Sequence, residues 1–149
     1  MKLIVNLDII QEQRKHTSLV KIANLMGVNY QALKARMRRK GYKSPIRCRD
    51  YSFLTTADKA YIAGIIDGEG HIDLRFKKVD VSNTNNDLIQ WLIKKVGGFI
   101  VVKPNYNVKH KKSWSWRLAA VGSRGLLKEI LPYLIIKKET AEKLLNLPV

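Results

Sequence analysis

The fold of this chain is decided by the stretch Ile62-Ala63-Gly64-Ile65-Ile66-Asp67-Gly68-Glu69-Gly70. Together with Ala60, the glycines at 64 and 68 recur every four positions, which places small residues along one edge of an α-helix and lets two helix backbones approach closely. The isoleucines occupy the other positions and face a core. A glycine inside a helix costs about 1 kcal/mol relative to alanine, so close helix contact is the physical reason for two of them.

The acidic residues of this helix lie where they are unfavourable on their own. Gly70 ends the helix and leaves Asp67 and Glu69 in its last turn. The negative end of the helix dipole repels both carboxylates there. A cation or a hydrogen-bond donor must therefore compensate them.

These nine residues resemble the LAGLIDADG motif of homing endonucleases almost position by position. Isoleucine replaces leucine twice, glycine occupies the seventh position and glutamate the eighth. The resemblance implies that the motif helix forms a subunit interface, whose residues are Ala60, Gly64, Gly68 and the structural acid Asp67. It also implies that the penultimate acid, Glu69, binds the divalent metal ions that cut DNA, with Gly68 beside it at the metal.

The sequence after the motif extends the resemblance through the rest of the chain. Alternating and amphipathic patterns predict strands over 71–77, 79–83, 99–102 and 113–118, and helices over 87–96, 123–131 and 138–145. The predicted class is therefore α+β, with the αββαββα core of the family. In that fold four antiparallel strands form a saddle, and its polar face lies along the DNA major groove.

The polar face of these strands offers side chains for DNA recognition. In the major groove arginine and lysine favour guanine, and smaller polar groups serve several bases. The loop 105–112 adds basic residues suited to phosphate or base contacts. The alternative is a strand face and a loop that are merely solvated. The predicted DNA-binding residues of this half are Arg75, Lys77, Ser82, Ser113, Ser115, Arg117, Lys109, Lys111 and Lys112.

Two residues match positions that family members use around the active site. Asn83 closes the second strand, where the family places a polar residue that positions water; the alternative is a turn cap. Lys137 precedes the last helix, where a family lysine reaches the active-site water network, with Lys138 as the fallback. A phosphate contact or a solvated lysine is the alternative for Lys137. The predicted catalytic residues are thus Glu69, Lys137 and Asn83.

The N-terminal part of the chain predicts a helix-turn-helix. Gly27 supplies the left-handed turn after a first helix, and Asn29 caps a second helix that runs to about Lys40. The residues predicted to face inward are Ile22, Leu25 and Met26 on the first helix and Leu33 and Met37 on the second. The alternative is a plain helical hairpin with a solvated basic face.

The second helix carries the basic residues expected to meet DNA. Residues 34–49 contain eight basic residues and no acid. A recognition helix in the major groove contacts both phosphates and base edges. The predicted phosphate contacts are Arg36, Arg38, Arg39 and Lys40, and the predicted base-edge contacts are Tyr30, Gln31 and Lys34.

Charge and composition limit the classes of function. The 149 residues include 28 Lys+Arg and 12 Asp+Glu, a formal net charge of +16, which favours a polyanion partner. One cysteine excludes an internal disulfide framework and a multi-cysteine metal site. The sequence shows no apolar run near the roughly 20 residues that span a membrane, and we expect no membrane partner. We expect an intracellular protein of the cytoplasm or nucleoid, of bacterial, phage or archaeal origin or from an organelle.

The single motif sets the predicted assembly. A composition break near residues 44–52 divides the chain into a helix-turn-helix-like DNA-binding domain, 1–48, and an endonuclease domain, 49–149. One Glu69 cannot reach two scissile phosphates, so we expect a homodimer on a roughly palindromic duplex. The expected cofactor is Mg²⁺, or another divalent ion such as Mn²⁺. The alternatives are a catalytically inactive DNA-binding regulator and an RNA-splicing maturase that binds intron RNA.

Overall fold

The computed structural model describes residues 6–15, 17–43, 48–104 and 107–148. The chain forms two compact units, one of residues 1–47 with 148–149 and one of residues 48–147. Each unit has its own hydrophobic core. In the part of the chain that the structure describes, no helix is long and apolar enough to cross a bilayer.

The described residues of the first unit form the helices α1 Leu7–Gln13, α2 Leu19–Leu25 and α3 Tyr30–Arg39. The turn between α2 and α3 is the one the sequence predicts. Gly27 has a φ of 63°, and Asn29 Oδ1 accepts the Ala32 N–H at 3.0 Å to begin α3. Helix α1, for which the sequence patterns gave no prediction, packs Leu7 and Ile10 into the same core.

One predicted core residue of this unit is wrong. Leu25 is 78% exposed, whereas Leu33 and Met37 are buried as predicted. The buried stripe of α2 is formed by Leu19, Ile22 and Ala23. At about 100° per residue, Leu25 lies about 110° from the centre of that stripe and therefore points away from the core.

The second unit has the predicted α+β fold. Its elements in chain order are α4 Thr56–Glu69, β1 Gly70–Asp73, β2 Lys78–Asn83, α5 Asn86–Val96, β3 Phe99–Val102, β4 Trp114–Leu118, α6 Ala120–Ile130, a 3₁₀ helix Leu131–Tyr133 and α7 Lys138–Asn146. The four strands are antiparallel in the order β1-β2-β4-β3. The predicted αββαββα order is therefore confirmed.

Helix α4 begins and ends at well-defined residues. Thr55 Oγ1 accepts the Asp58 N–H at 3.1 Å and Asp58 Oδ2 accepts the Thr55 N–H at 3.3 Å, a capping box that starts the helix. At the other end Gly70 passes directly into β1. A Cβ on Gly70 would lie 2.7 Å from Ile66 Cα, so only glycine fits this junction. The junction fixes Glu69 at the edge of the sheet.

The strand predicted over residues 71–77 is too long. β1 ends at Asp73, and a turn over residues 74–77 leads to β2. Asp73 Oδ1 accepts the Phe76 N–H at 2.9 Å, and Lys77 adopts a φ of 53°. That hydrogen bond holds the pKa of Asp73 below its usual value. Polar and apolar residues also alternate through this turn, so periodicity did not reveal it, and Arg75 lies on the turn rather than on a strand.

Side chains alternate between the two faces of the sheet. On one face Val79, Val81, Trp116 and Leu118 are at most 3% exposed and join the core with the helices. We call the other one the polar face. The strand register places on it His71, Asp73, Lys78, Asp80, Ser82, Phe99, Val101, Ser115 and Arg117.

Candidate functional site

The end of the motif helix α4 brings together backbone carbonyls and carboxylates. The last carbonyls of a helix have no intrahelical partner and carry the negative end of its dipole. Lys137 Nζ donates to the carbonyls of Ile66 and Asp67, at 2.8 and 2.6 Å. The ammonium group therefore caps the helix, whose last residue is the exposed Glu69.

The side chain of Asp67 forms a second set of hydrogen bonds between the same two segments. Its carboxylate accepts the N–H groups of Ile135 and Lys137 at 2.8 and 2.9 Å. Partial burial acts to raise the pKa of Asp67, but the backbone N–H groups of Ile135, Lys137 and Ile136 and the charge of Lys137 outweigh burial, so the pKa lies below its usual value. Asp67 and Lys137 thus lock the end of α4 to the segment before α7, which agrees with a structural role for Asp67.

We expect Asp67→Asn to destabilise the second unit by about 2 kcal/mol at pH 7, because hydrogen bonds to a charged group contribute about 1.5–3 kcal/mol. The folded pKa of Asp67 is depressed, so its contribution is present above the unfolded pKa of about 4 and is lost as the pH falls through the folded pKa. The difference in the free energy of unfolding between Asp67→Asn and the parent protein should therefore become smaller below about pH 4.

Tryptophan fluorescence during urea unfolding measures this effect, since Trp91, Trp114 and Trp116 all lie in the second unit. Asp87→Asn is the matched control, because Asp87 is an exposed first-turn carboxylate of α5. Its removal should cost only about 0.5 kcal/mol. An Asp67→Asn protein as stable as the control at pH 7 contradicts the proposed lock.

Asn83 lies at the same end of the sheet as Glu69. Gly70 pairs with Val81, so the end of β2 runs two residues past the start of β1. Asn83 Oδ1 accepts the Asn85 N–H at 2.8 Å, which is the turn-cap alternative that the sequence left open. A catalytic role for Asn83, like that for Lys137, stays a prediction.

Glu69 and Gly68 suit a hard divalent cation. Mg²⁺ prefers carboxylate, carbonyl, water and phosphate oxygens, and it is commonly held by one or two carboxylates with the rest of its shell from water and substrate. Among the residues that the structure describes, no three His, Cys, Asp or Glu side chains cluster as a metal site. A site at the end of α4 would therefore draw on few protein carboxylates, which fits Mg²⁺ better than a metal that needs a protein cage.

The small-residue stripe of α4 is exposed. Ala60, Gly64 and Gly68 all lie on the surface of the chain. A Cβ added to Gly64 or Gly68 would meet no atom of the described residues within 4 Å. Contacts within the described chain therefore do not explain these helix glycines.

The predicted DNA-binding residues of the sheet differ in exposure. Arg117 and Ser82 are half-buried on the polar face, and Ser113 precedes β4. Ser115 is only 1% exposed and its Oγ accepts a hydrogen bond from Ser82 Oγ at 3.3 Å. The hydroxyl of Ser115 lies too deep for direct contact with DNA, so we remove Ser115 from the DNA-binding set.

The basic loop and helix α3 present most of their predicted residues to solvent. Positions 105 and 106 lie outside the described residues. Exposed side chains in these two regions are Lys109, Lys111, Lys112, Gln31, Lys34, Arg36, Arg38, Arg39 and Lys40. Lys112 Nζ lies 5.5 Å from the ring centre of Trp114. Tyr30 instead packs partly against the core of the first unit, so packing accounts for much of its ring.

The sequence predictions missed one exposed aromatic residue of the second unit. Phe76, in the β1–β2 turn, is 63% exposed. The signal was present in the sequence, because Arg75, Lys77 and Lys78 surround this aromatic residue. An exposed aromatic residue among basic ones is typical of nucleic-acid surfaces.

The comparisons with known proteins return solved structures only. No protein-family model matches the chain, and no curated protein matches it. The homing endonuclease I-CvuI, in complex with its target and calcium, is 20% identical with a TM-score of 0.49, covering 60% of this chain and 64% of that one. A second I-CvuI structure, with the I-CreI target, magnesium and uncleaved DNA, is 20% identical with a TM-score of 0.47 and the same coverage, 60% and 64%.

The third structure is the archaeal intron-encoded homing endonuclease I-Vdi141I in complex with DNA. It is 17% identical, with a TM-score of 0.44, and the match covers 56% of this chain and 62% of that one. The chain therefore matches less than two thirds of each of these proteins. All three structures are of homing endonucleases. Residues 62–70 of this chain resemble the LAGLIDADG motif of that class of proteins.

Proposed function

We propose that this chain is a LAGLIDADG homing endonuclease, a site-specific enzyme that hydrolyses DNA phosphodiester bonds with a divalent metal ion. One observation carries the proposal. The motif helix presents an uncovered stripe of small residues along its length and an exposed carboxylate, Glu69, at its end. Among the described residues of one chain neither feature has a contact that explains it, and both would have a use in a nuclease dimer.

The residues at the end of α4 would share the chemistry as follows. Glu69, with the backbone of Gly68, would hold the ion, which supplies charge stabilisation for the attacking and leaving oxygens. Lys137 compensates the negative end of α4 through its hydrogen bonds to the carbonyls of Ile66 and Asp67. Asn83 would position water from the neighbouring strand end.

The proposed homodimer follows from the presence of one LAGLIDADG-like motif in each chain. Two scissile phosphates on opposite strands need two carboxylates, and each chain offers one Glu69. Packing two α4 helices through Ala60, Gly64 and Gly68 about a two-fold axis would bring both carboxylates near that axis. An interface of this symmetry predicts a roughly palindromic target.

DNA binding would use the polar face, the basic loop and helix α3. Arg117, Ser82 and the loop lysines would lie along the major groove, and the N-terminal domain 1–48 would add contacts to flanking DNA. The net charge of +16 provides the electrostatic part of the affinity. The affinity should therefore fall steeply as salt is added.

Selection of cleaved sites from a randomised duplex library in Mg²⁺ tests this function. The proposal predicts recovery of one near-palindromic site cut on both strands. Binding without cleavage would favour the inactive regulator, and preferential binding of structured intron RNA would favour the maturase. Recovery of neither a bound nor a cut duplex would refute a DNA function.

Arg38→Ala tests the role of helix α3. We expect weaker binding to every duplex alike and a salt slope smaller by about one, because a phosphate contact carries no sequence information. Gel-shift titrations at several salt concentrations measure both quantities. The control is Lys21→Ala, which removes the same charge from an exposed site on α2. Equal behaviour of the two variants would contradict a groove-facing α3.

A further inference from the structure

The turn between β1 and β2 exposes an aromatic ring to solvent. Phe76 is 63% exposed, whereas Leu74 of the same turn packs against the core. The backbone of this turn is fixed, since Asp73 Oδ1 accepts the Phe76 N–H at 2.9 Å and Lys77 takes a left-handed φ of 53°. The exposure of Phe76 is therefore built into the hairpin.

Two cations flank the ring of Phe76. Arg75 Cζ lies 5.2 Å and Lys78 Nζ 5.8 Å from the ring centre. Lys78 also forms an ion pair with Asp80, 3.7 Å away, and both belong to the polar face. The ring thus lies beside the face proposed to meet DNA and is flanked by two cations, with the carboxylates of Asp73 and Asp80 also at this turn.

The chemistry of the ring selects what it can recognise. Phenylalanine has no hydrogen-bond donor for a phosphate or a base edge. The apolar group that the major groove offers is the C5-methyl group of thymine, and a two-stranded ribbon can enter that groove. Arginine and lysine on both sides of the ring would neutralise the neighbouring phosphates.

We propose that Phe76 reads a thymine methyl group in each half of the DNA target, with Arg75 and Lys78 as its flanking phosphate contacts. The inference rests on the proposed function, and it adds a base preference that the polar residues alone would not give. Removing the methyl group should weaken binding about fourfold per half-site, the effect of exposing one methyl-sized group.

The experiment replaces each thymine of the selected duplex by uracil, which differs only by the methyl group. Gel-shift titrations without Mg²⁺ are carried out with the parent protein, Phe76→Ala and Phe53→Ala. Phe53 is the matched control, since it is 65% exposed and belongs to the segment before α4 rather than to a strand or strand turn. Equal unfolding midpoints in urea establish that the variants are folded.

The proposal predicts one uracil-sensitive position in each half-site for the parent and for Phe53→Ala, and loss of that sensitivity in Phe76→Ala. Sensitivity that persists in Phe76→Ala, or is absent in the parent, overturns it while leaving the nuclease proposal intact. An equal loss of affinity for all duplexes in Phe76→Ala, independent of uracil, also overturns it. Failure of the parent to bind any duplex refutes the underlying function instead.

Discussion

Glu69→Gln is expected to lower plasmid cleavage in Mg²⁺ at least a hundredfold, a loss of about 3 kcal/mol or more of transition-state stabilisation. Glutamine keeps the size of the side chain and removes the negative charge that holds the ion. Glu69 is exposed at the end of α4, so the substitution leaves the core untouched. The fold should therefore survive, and only the chemistry should fail.

The affinity of Glu69→Gln for DNA should not fall with its cleavage activity. Removing one carboxylate from a surface that faces phosphates reduces repulsion, so the affinity of Glu69→Gln in the absence of metal should equal or exceed that of the parent. Gel shifts and a supercoiled-plasmid assay on the same preparations separate the two effects.

The control for this substitution is Glu142→Gln, which makes the same change on the exposed side of α7. It should cleave like the parent protein. Full cleavage by Glu69→Gln, in Mg²⁺ or in Mn²⁺, would remove Glu69 from the metal site and leave the motif helix with an interface role only.

The order of elements was predictable because each element has its own period. The predicted helix 87–96 and the predicted strand 99–102 are separated by Gly97-Gly98, which marks the limit of both in the sequence. In the structure α5 and β3 begin and end within one residue of the predicted limits. The turn at residues 74–77 was missed for the same reason, since its residues continue the alternation of β1. Periodicity reports which face a side chain takes and does not report whether the backbone is extended.

The candidate site was predictable in part. The motif and the dipole of α4 pointed to Glu69 and required a compensating cation for the acids of the last turn. The compensating cation for the helix end is Lys137, about 70 residues away in sequence, and its bonds go to the carbonyls of Ile66 and Asp67. The resemblance placed Lys137 near the active site, but backbone carbonyls are the same in every residue, so the sequence did not show that Lys137 would bond to the end of the helix.

Gly64→Gln tests the interface, and the structure predicts effects of opposite sign on the monomer and the dimer. Gly64 is exposed and a Cβ there meets no described atom within 4 Å, so we expect a longer side chain at this position to extend into solvent in the isolated chain. Glutamine is a better helix former than glycine by about 0.5 kcal/mol or more. The monomer should therefore become slightly more stable to urea.

The proposed dimer should instead become weaker. At a close helix crossing on a two-fold axis, one substitution inserts two long side chains, and overpacking costs about 1–3 kcal/mol at each. The dissociation constant of the dimer should rise about a hundredfold, and cleavage of both strands should decline with it. Sedimentation equilibrium measures the first effect and the plasmid assay the second.

Glu142→Gln is again the control, because it places a glutamine on an exposed helix position outside the small-residue stripe. It should leave the dimer unchanged. A Gly64→Gln protein that is both more stable as a monomer and weaker as a dimer can be explained only by contact between copies of α4, since a purely internal role for Gly64 predicts a loss in the monomer. A variant that dimerises like the parent would mean that the subunits meet through another surface and that the two Glu69 carboxylates lie apart.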